Sequence, residues 1–183
     1  MSWTLDPHHT SVSFSAKHLG VATVRGRFTG VSADIALDDP SDPTTGRGTV
    51  TIDAASIDTG NTMRDNHLRG GDFLHIEKHP TILFTLKSIA RESADTYSVV
   101  GDLTIRGVTR EITLGYEHGG VATDPYGNVK VGGTLSGALN RSDWGLTWNV
   151  PLGTGGWLVG DKVKLDIDGE LSRVSEVAVE PAA

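Results

Sequence analysis

The sequence predicts an all-β protein, with roughly eight antiparallel strands closed into a barrel or stacked as a sandwich. Apolar and polar residues alternate with a period of two along most of the chain. Clusters of Pro, Gly, Asp and Asn punctuate the alternating runs. Only the stretch over residues 62–79 leaves that rhythm.

Taken in order, "SVSFSAKH" (11–18) sets Val12, Phe14 and Ala16 against serine and lysine, as a half-buried strand does. "ATVRGRFTG" and "VSADIAL" (22–37) supply a bent pair, and "DDPSDPTTG" (38–46) is loop chemistry. "GTVTIDAASI" (48–57) is the next strand. In "NTMRDNHLRGGDF", Asn61 or Thr62 can cap a helix carrying Met63, His67 and Leu68 at helical spacing, and Gly70-Gly71 end it after about two turns. "FLHIEKHP" can add a turn before Pro80 stops it. The alternation then resumes in "TILFTLKSI" (81–89), "TYSVVGDLTI" (96–105), "REITLGYEH" (110–118), "KVGGTLSGAL" (130–139) and "KVKLDIDGEL" (162–171). Turn residues in "RGVT" and "DPYGN" separate them. Residues 1–172 read as one domain and 173–183 as a flexible tail.

Composition removes several function classes. A chain of 183 residues without cysteine has no disulfide, thiolate nucleophile, iron–sulfur cluster or cysteine zinc site. Its net charge of −7 and the absence of a basic run argue against nucleic acid and against polybasic attachment to membranes. No window approaches the ~18 apolar residues of a membrane span. The start "MSWTLDPHHTSVSF" lacks a basic n-region and an apolar stretch, so the expectation is a cytoplasmic protein.

The polar stretch invites a metal reading, because His75 and His79 stand four apart around Glu77. Gly70-Gly71 and Pro80 leave scarcely a turn of helix for such a pair, and His79 precedes proline, which favours extended backbone. A surface connection with ordinary histidines is the better reading, and no metal or cofactor is expected. Ser11, Ser13, Ser15 and Ser142 lie outside any GxSxG turn, and alternating serines suit a solvent face. Asp102, Asp143 and Asp161 flank glycines or turns. In "LNRSDWGLTWNV" (139–150), Trp144, Leu146 and Trp148 follow at period two behind Asn140, Arg141, Ser142 and Asp143. That segment is either a bulge feeding a core-packed strand, or a cavity rim offering Arg141 to an anionic head group.

Inward positions decide between a solid core and a lumen. One apolar set includes Val12, Phe14, Val50, Ile52, Ile82, Phe84, Val99, Leu103, Ile105, Ile112, Leu114, Leu135, Leu139, Leu146, Trp148, Leu165 and Ile167. The same phase carries Ala16, Gly26, Gly101, Gly133 and Gly137, and small residues there leave volume for a ligand. Strand glycines can equally mark bends of the wall.

Six motifs then occur in order: "W-x-L-D-P-x-H-x-S-V-x-F", "K-H-L-G-V-x-x-V-R-G-R-F", "A-S-I-D-T-G-N-x-x-R-D-x-H-L-R", "D-F-L-x-x-E-K-H-P", "G-D-L-T-I-R-G-V-T" and "N-R-S-D-W-G-L". Together they resemble the YceI-like family of polyisoprenoid-binding proteins, from about Trp3 to Leu171. The resemblance implies an extended eight-stranded, lipocalin-like antiparallel barrel with a short helical crossing segment near 62–79. It also implies a lumen for a long-chain isoprenoid or other lipid, and no enzymatic activity. Many relatives are exported; that setting is not carried over. On the matched positions, His18 and Arg25 fall in the first hairpin, Arg64, Asp65 and His67 in the helical segment, and Asn140, Arg141 and Trp144 in the late motif. His75 and His79 fall where such sequences often carry other residues.

The expected lumen contacts are therefore Phe14, Ala16, His18, Val50, Ile52, Phe84, Leu103, Leu114, Leu135, Gly137, Leu146 and Trp148. The expected polar mouth is Arg25, Arg64, Asp65, His67, Asn140, Arg141 and Trp144, with Arg25, Arg64 and Arg141 available to a phosphate or carboxylate. Arg64 and Asp65 can alternatively pair with one another to hold the helix. The expected function is binding and sequestration or transport of an isoprenoid-type lipid. The alternatives are a hydrolase-like enzyme acting on that lipid, or a binder of fatty acid or fatty amide. An exposed edge strand would permit a homodimer.

Overall fold

The structure, a computed structural model, describes residues 2–173. The tail expected over 173–183 lies outside the described residues, except for Arg173. The strands are β1 (Ser2–Leu5), β2 (Ser11–His18), β3 (Ala22–Phe28), β4 (Val31–Leu37), β5 (Gly46–Asp53) and β6 (Ile57–Asp58), then β7 (Thr81–Arg91), β8 (Thr96–Ile105), β9 (Val108–Thr123), β10 (Val129–Asn140) and β11 (Val159–Arg173). Helix α1 (Thr62–Arg69) stands between β6 and β7. As expected, it ends at Gly70 after two turns, and Asn61 caps it by accepting the Arg64 N–H at 3.0 Å; hydrogen-bonded turns stand where a further helical turn before Pro80 was possible. The short strand β1 has too few residues for its period to show.

All of the strand pairings are antiparallel, and the sheet closes because β11 pairs with β2 along its first part and with β1 near its end. The first three barrel strands are each broken in two. β1 with β2, β3 with β4, and β5 with β6 form three bent arms, and the remaining five strands are continuous, giving a closed eight-stranded barrel. Backbone hydrogen bonds span the breaks, from Asp6 N–H to Glu170 at 2.8 Å and from Asp53 N–H to Gly30 at 2.8 Å. Closure supplies partners along nearly every strand edge, which an open sheet would leave bare. One gap remains on β3, where β6 covers only Arg27 and Phe28.

A tryptophan helps close each end. At the end reached by β8, β10 and α1, buried Trp144 donates its indole N–H to Leu103 O at 3.0 Å, within a core of Ala54, Ile57, Phe73, Leu74, Ile82, Ile105 and Leu146. At the opposite end, buried Trp3 donates to Leu37 O at 3.0 Å and packs with Val131. Residues 141–148 do not form the expected strand of period two. Arg141–Trp144 make a 3-10 turn, and Gly145 takes a left-handed conformation with φ of 73°. Trp144 and Leu146 thus reach the core from a loop.

Candidate functional site

Between the two closed ends lies an apolar cavity of about 310 Å³. Its wall includes Phe14, Val50, Ile52, Phe84, Leu103, Leu114 and Leu135, all on the inward phase of their strands. The cavity runs from Leu5, Leu37, Pro43 and Ile89 at one end to Leu103, Ile105 and Leu139 at the other. No Asp, Glu, Lys, Arg or His lines it; the polar residues of the wall are Thr10, Ser13, Thr49 and Tyr116. The Tyr116 hydroxyl donates to Gly132 O at 3.2 Å and lies 3.1 Å from His118 Nδ1. Burial, and then the neighbouring Tyr97, push its pKa up to about 12, so it is a neutral phenol at ordinary pH.

Five residues expected in the lumen stand outside the wall. Ala16 sits between Val24 and Val163, and His18 ends β2 opposite Ala22. Leu146 and Trp148 belong to the packed end, where the Trp148 ring meets His67 and Phe73 at 4.6 and 5.4 Å between centroids. At Gly137 the space a Cβ would take is filled by Leu114, whose Cδ2 lies 2.5 Å from that point. The other small residues behave alike. A Cβ on Gly26 would stand 2.5 Å from Phe14 Cζ, on Gly101 2.6 Å from Phe84 Cε2, and on Gly133 2.6 Å from the Tyr116 ring. Each glycine is overlain by a large residue of the adjacent strand. The small positions therefore do not create the lumen by their own absence of bulk; they make room for large side chains of the adjacent strand.

Among wall residues outside the expected lumen set, Leu86 and Ile89 both face inward because a register shift between Leu86 and Ser88 reverses the phase of β7. A bulge has no period-two signature. Tyr116 follows Ile112 and Leu114 on the same phase and was accessible by extending that count.

The expected polar mouth does not assemble. Arg141 is buried at 6% exposure and donates to Gly160 O and Trp148 O at 3.0 Å, to Val159 O at 3.4 Å and to Leu146 O. Burial lowers its pKa, against the pull of Asp161. Its fork is occupied by carbonyls of the loop after β10 and of the start of β11. Arg64 donates to Thr59 Oγ1 at 2.7 Å and Thr59 O at 2.9 Å, while buried Asp65 accepts the Thr59 N–H at 2.9 Å. The two charges hold Thr59 in place of one another. His67 Nε2 lies 2.9 Å from Asp72 Oδ2. Trp144 is in the core, and Asn140 closes β10 opposite Lys162. Arg25 faces solvent on the outer wall, as His67 and Asn140 do at the barrel end.

The polar density of residues 64–80 follows from this. Loops crossing a barrel end leave backbone carbonyls without strand partners, and arginines supply the donors. Arg69 reaches Ala55 O and Ile57 O, both at 2.8 Å, and Arg106 reaches Phe73 O at 2.9 Å. His75 lies at φ of 52°, with its ring 6.1 Å from that of His79. Among the described residues the group that does converge is Asp6, His9 and Glu170. There the Lys130 ammonium bonds both carboxylates at 3.0 Å, taking the place a cation would need.

Comparison with known proteins gives four findings. Residues 3–171 match the YceI-like domain. The UPF0312 protein SAS2572 of Staphylococcus aureus is 39% identical over 173 residues, 93% of this chain and 97% of that protein. The crystal structure of the Campylobacter jejuni YCEI protein superposes with a TM-score of 0.75 at 35% identity, covering 87% of this chain and 90% of that one. A polyisoprenoid binding domain from Saccharophagus degradans, implicated in plant cell wall breakdown, shares the fold with a TM-score of 0.66 at 14% identity, over 94% and 98% of the two chains.

Proposed function

This chain belongs to the YceI-like domain family, and from that premise we propose that it binds the hydrocarbon part of an isoprenoid-type lipid in the barrel lumen, to sequester or carry it. The observation that carries the reading is the wall itself: a cavity of about 310 Å³ with no charged side chain on it. Each methylene moved from water into such a space gains about 0.8 kcal/mol. Ten of them offer about 8 kcal/mol, of micromolar scale before the costs of association. No directional bond is involved, so discrimination among chains is soft. The description of the Saccharophagus degradans domain as polyisoprenoid-binding supports the same ligand class.

Binding is favoured over catalysis because the wall holds no nucleophile beside a base and no titratable group except the Tyr116 phenol. Organic extraction of the purified protein, followed by mass spectrometry, tests the reading. A stoichiometric long-chain lipid supports it. Protein that extracts empty and fails to take up added geranylgeraniol would sink it.

A further inference from the structure

We propose that a polar groove on the outer wall beside β3 holds a phosphate monoester, the head group of an amphiphile whose chain lies in the lumen. The inference rests on the lumen reading above and adds a second, charged site to it. The groove encloses about 410 Å³ and draws on β2, β3, β11 and the loop after β6. Strand register sets its chemistry. Ser15 pairs with Arg25 on one side and with Lys164 on the other, so a hydroxyl lies between two cations in one row across three strands. Neighbouring strands stand about 4.8 Å apart, which places the two cations roughly 10 Å from each other. Both side chains are long enough to close on one anion above Ser15, with the arginine fork suited to two phosphate oxygens.

These cations differ from the other arginines near the barrel end. Arg64 and Arg141 are occupied by Thr59 and by backbone carbonyls, and Arg27 is bonded to Asp58 at 3.2 Å. Arg25 and Lys164 are exposed and, among the described residues, bond to no protein group. Asp166 stands in the next row, opposite Ser13, and Asp58 is held by Arg27 and by the Gly60 N–H at 2.9 Å. Three cations against two carboxylates make the groove locally positive on a chain of net charge −7.

The groove also adjoins the lumen. Ser13 and Phe14 line both spaces. The Phe14 ring rests on Gly26, where a Cβ would stand 2.5 Å from its Cζ, and on Phe28 at 5.5 Å between centroids. The Phe14 ring thus stands between the lumen and the edge of β3 that β6 leaves uncovered. A lipid can therefore keep its chain inside and lead its head out past Phe14 over the uncovered edge of β3.

Geranylgeraniol and geranylgeranyl monophosphate, compared on wild type and on the Arg25→Gln/Lys164→Gln variant, test the proposal, with amide shifts under inorganic phosphate as a third arm. Wild type should bind the monophosphate at least about tenfold tighter than the alcohol. The variant should bind both equally, with alcohol affinity unchanged, which also shows that it folds. Alcohol binding without a preference for monophosphate overturns the groove and leaves the lumen reading standing. So does a preference that survives in the variant. Shifts at Ser15 and Arg25 with inorganic phosphate, but no preference for the monophosphate over the alcohol, assign the groove to free phosphate and overturn the lipid link. Failure of both lipids to bind removes the lumen reading and this inference together.

Discussion

Thr59 gives both its N–H, at 2.9 Å, and its hydroxyl to the buried carboxylate of Asp65, and in return takes the Arg64 guanidinium on its own oxygens. One side chain thus ties helix α1 to the segment leaving β6. Thr59→Val removes the hydroxyl and keeps the shape. A hydrogen bond to a charged group contributes about 1.5–3 kcal/mol, so urea unfolding should show a loss in that range. A change below about 0.5 kcal/mol would mean that Asp65 finds another donor.

Gly101 and Phe84 define a second contact, because the ring occupies the site of the missing Cβ. Gly101→Ala should destabilise by about 1–3 kcal/mol through displacement of that ring. Thermal unfolding checks this, and a variant as stable as wild type would show that the ring relocates into the lumen without cost.

Val50 points into open space in the cavity wall. Val50→Phe should lower lipid uptake by about tenfold or more while leaving the unfolding midpoint near that of wild type. Gly137→Phe is the control with the opposite signature, since Leu114 already fills its space. Fluorescent-lipid titration and calorimetry on both variants separate loss of room from loss of fold.

The Asp6 carboxyl is held far below the usual carboxylate range by hydrogen bonds from His9, then Lys130 and the His8 N–H. A depressed folded value contributes stability above the unfolded value of about 4, lost as pH falls toward the folded one. Asp6→Asn should therefore melt below wild type at neutral pH, and the gap should close between about pH 4 and 2. An unchanged gap at the acid end would show that the cluster acts by packing. Tyr116 runs the other way. Its neutral phenol favours the fold below about pH 10, and that contribution fades as pH rises toward about 12. Tyr116→Phe should delete one phenolate absorbance step near that upper value.

Arg141 satisfies carbonyls of Leu146, Trp148, Val159 and Gly160. Arg141→Met leaves several buried acceptors bare and should cost about 3 kcal/mol or more. Arg141→Lys should restore little, because an ammonium cannot reproduce the planar fork. Full rescue by lysine would show that charge, and not the geometry of the donors, holds the loop.

The alternation of Val12 with Phe14, or of Ile112 with Leu114, was enough to read strands and their inner face. Strand side chains take opposite faces in turn, and one face must leave water. The family motifs carried the closed barrel and its helical interruption. What failed was position along the axis. Leu146 and Trp148 kept a period of two yet lie in a loop, since a 3-10 turn at 141–144 lifts them off the sheet.

By itself, then, the sequence determined the class of fold, the inward phase of the long strands up to their bulges and the apolar character of the lumen, because these follow from neighbours along the chain. Tertiary structure decided which inward positions border empty space and which arginines are free. Both depend on residues distant in sequence. Phe84 covers Gly101, Leu114 covers Gly137, and Gly160 occupies Arg141, while Ser15 meets Lys164 only once β11 closes the barrel on β2. Volume and hydrogen-bonding capacity belong to pairs brought together by closure, and no local pattern records them.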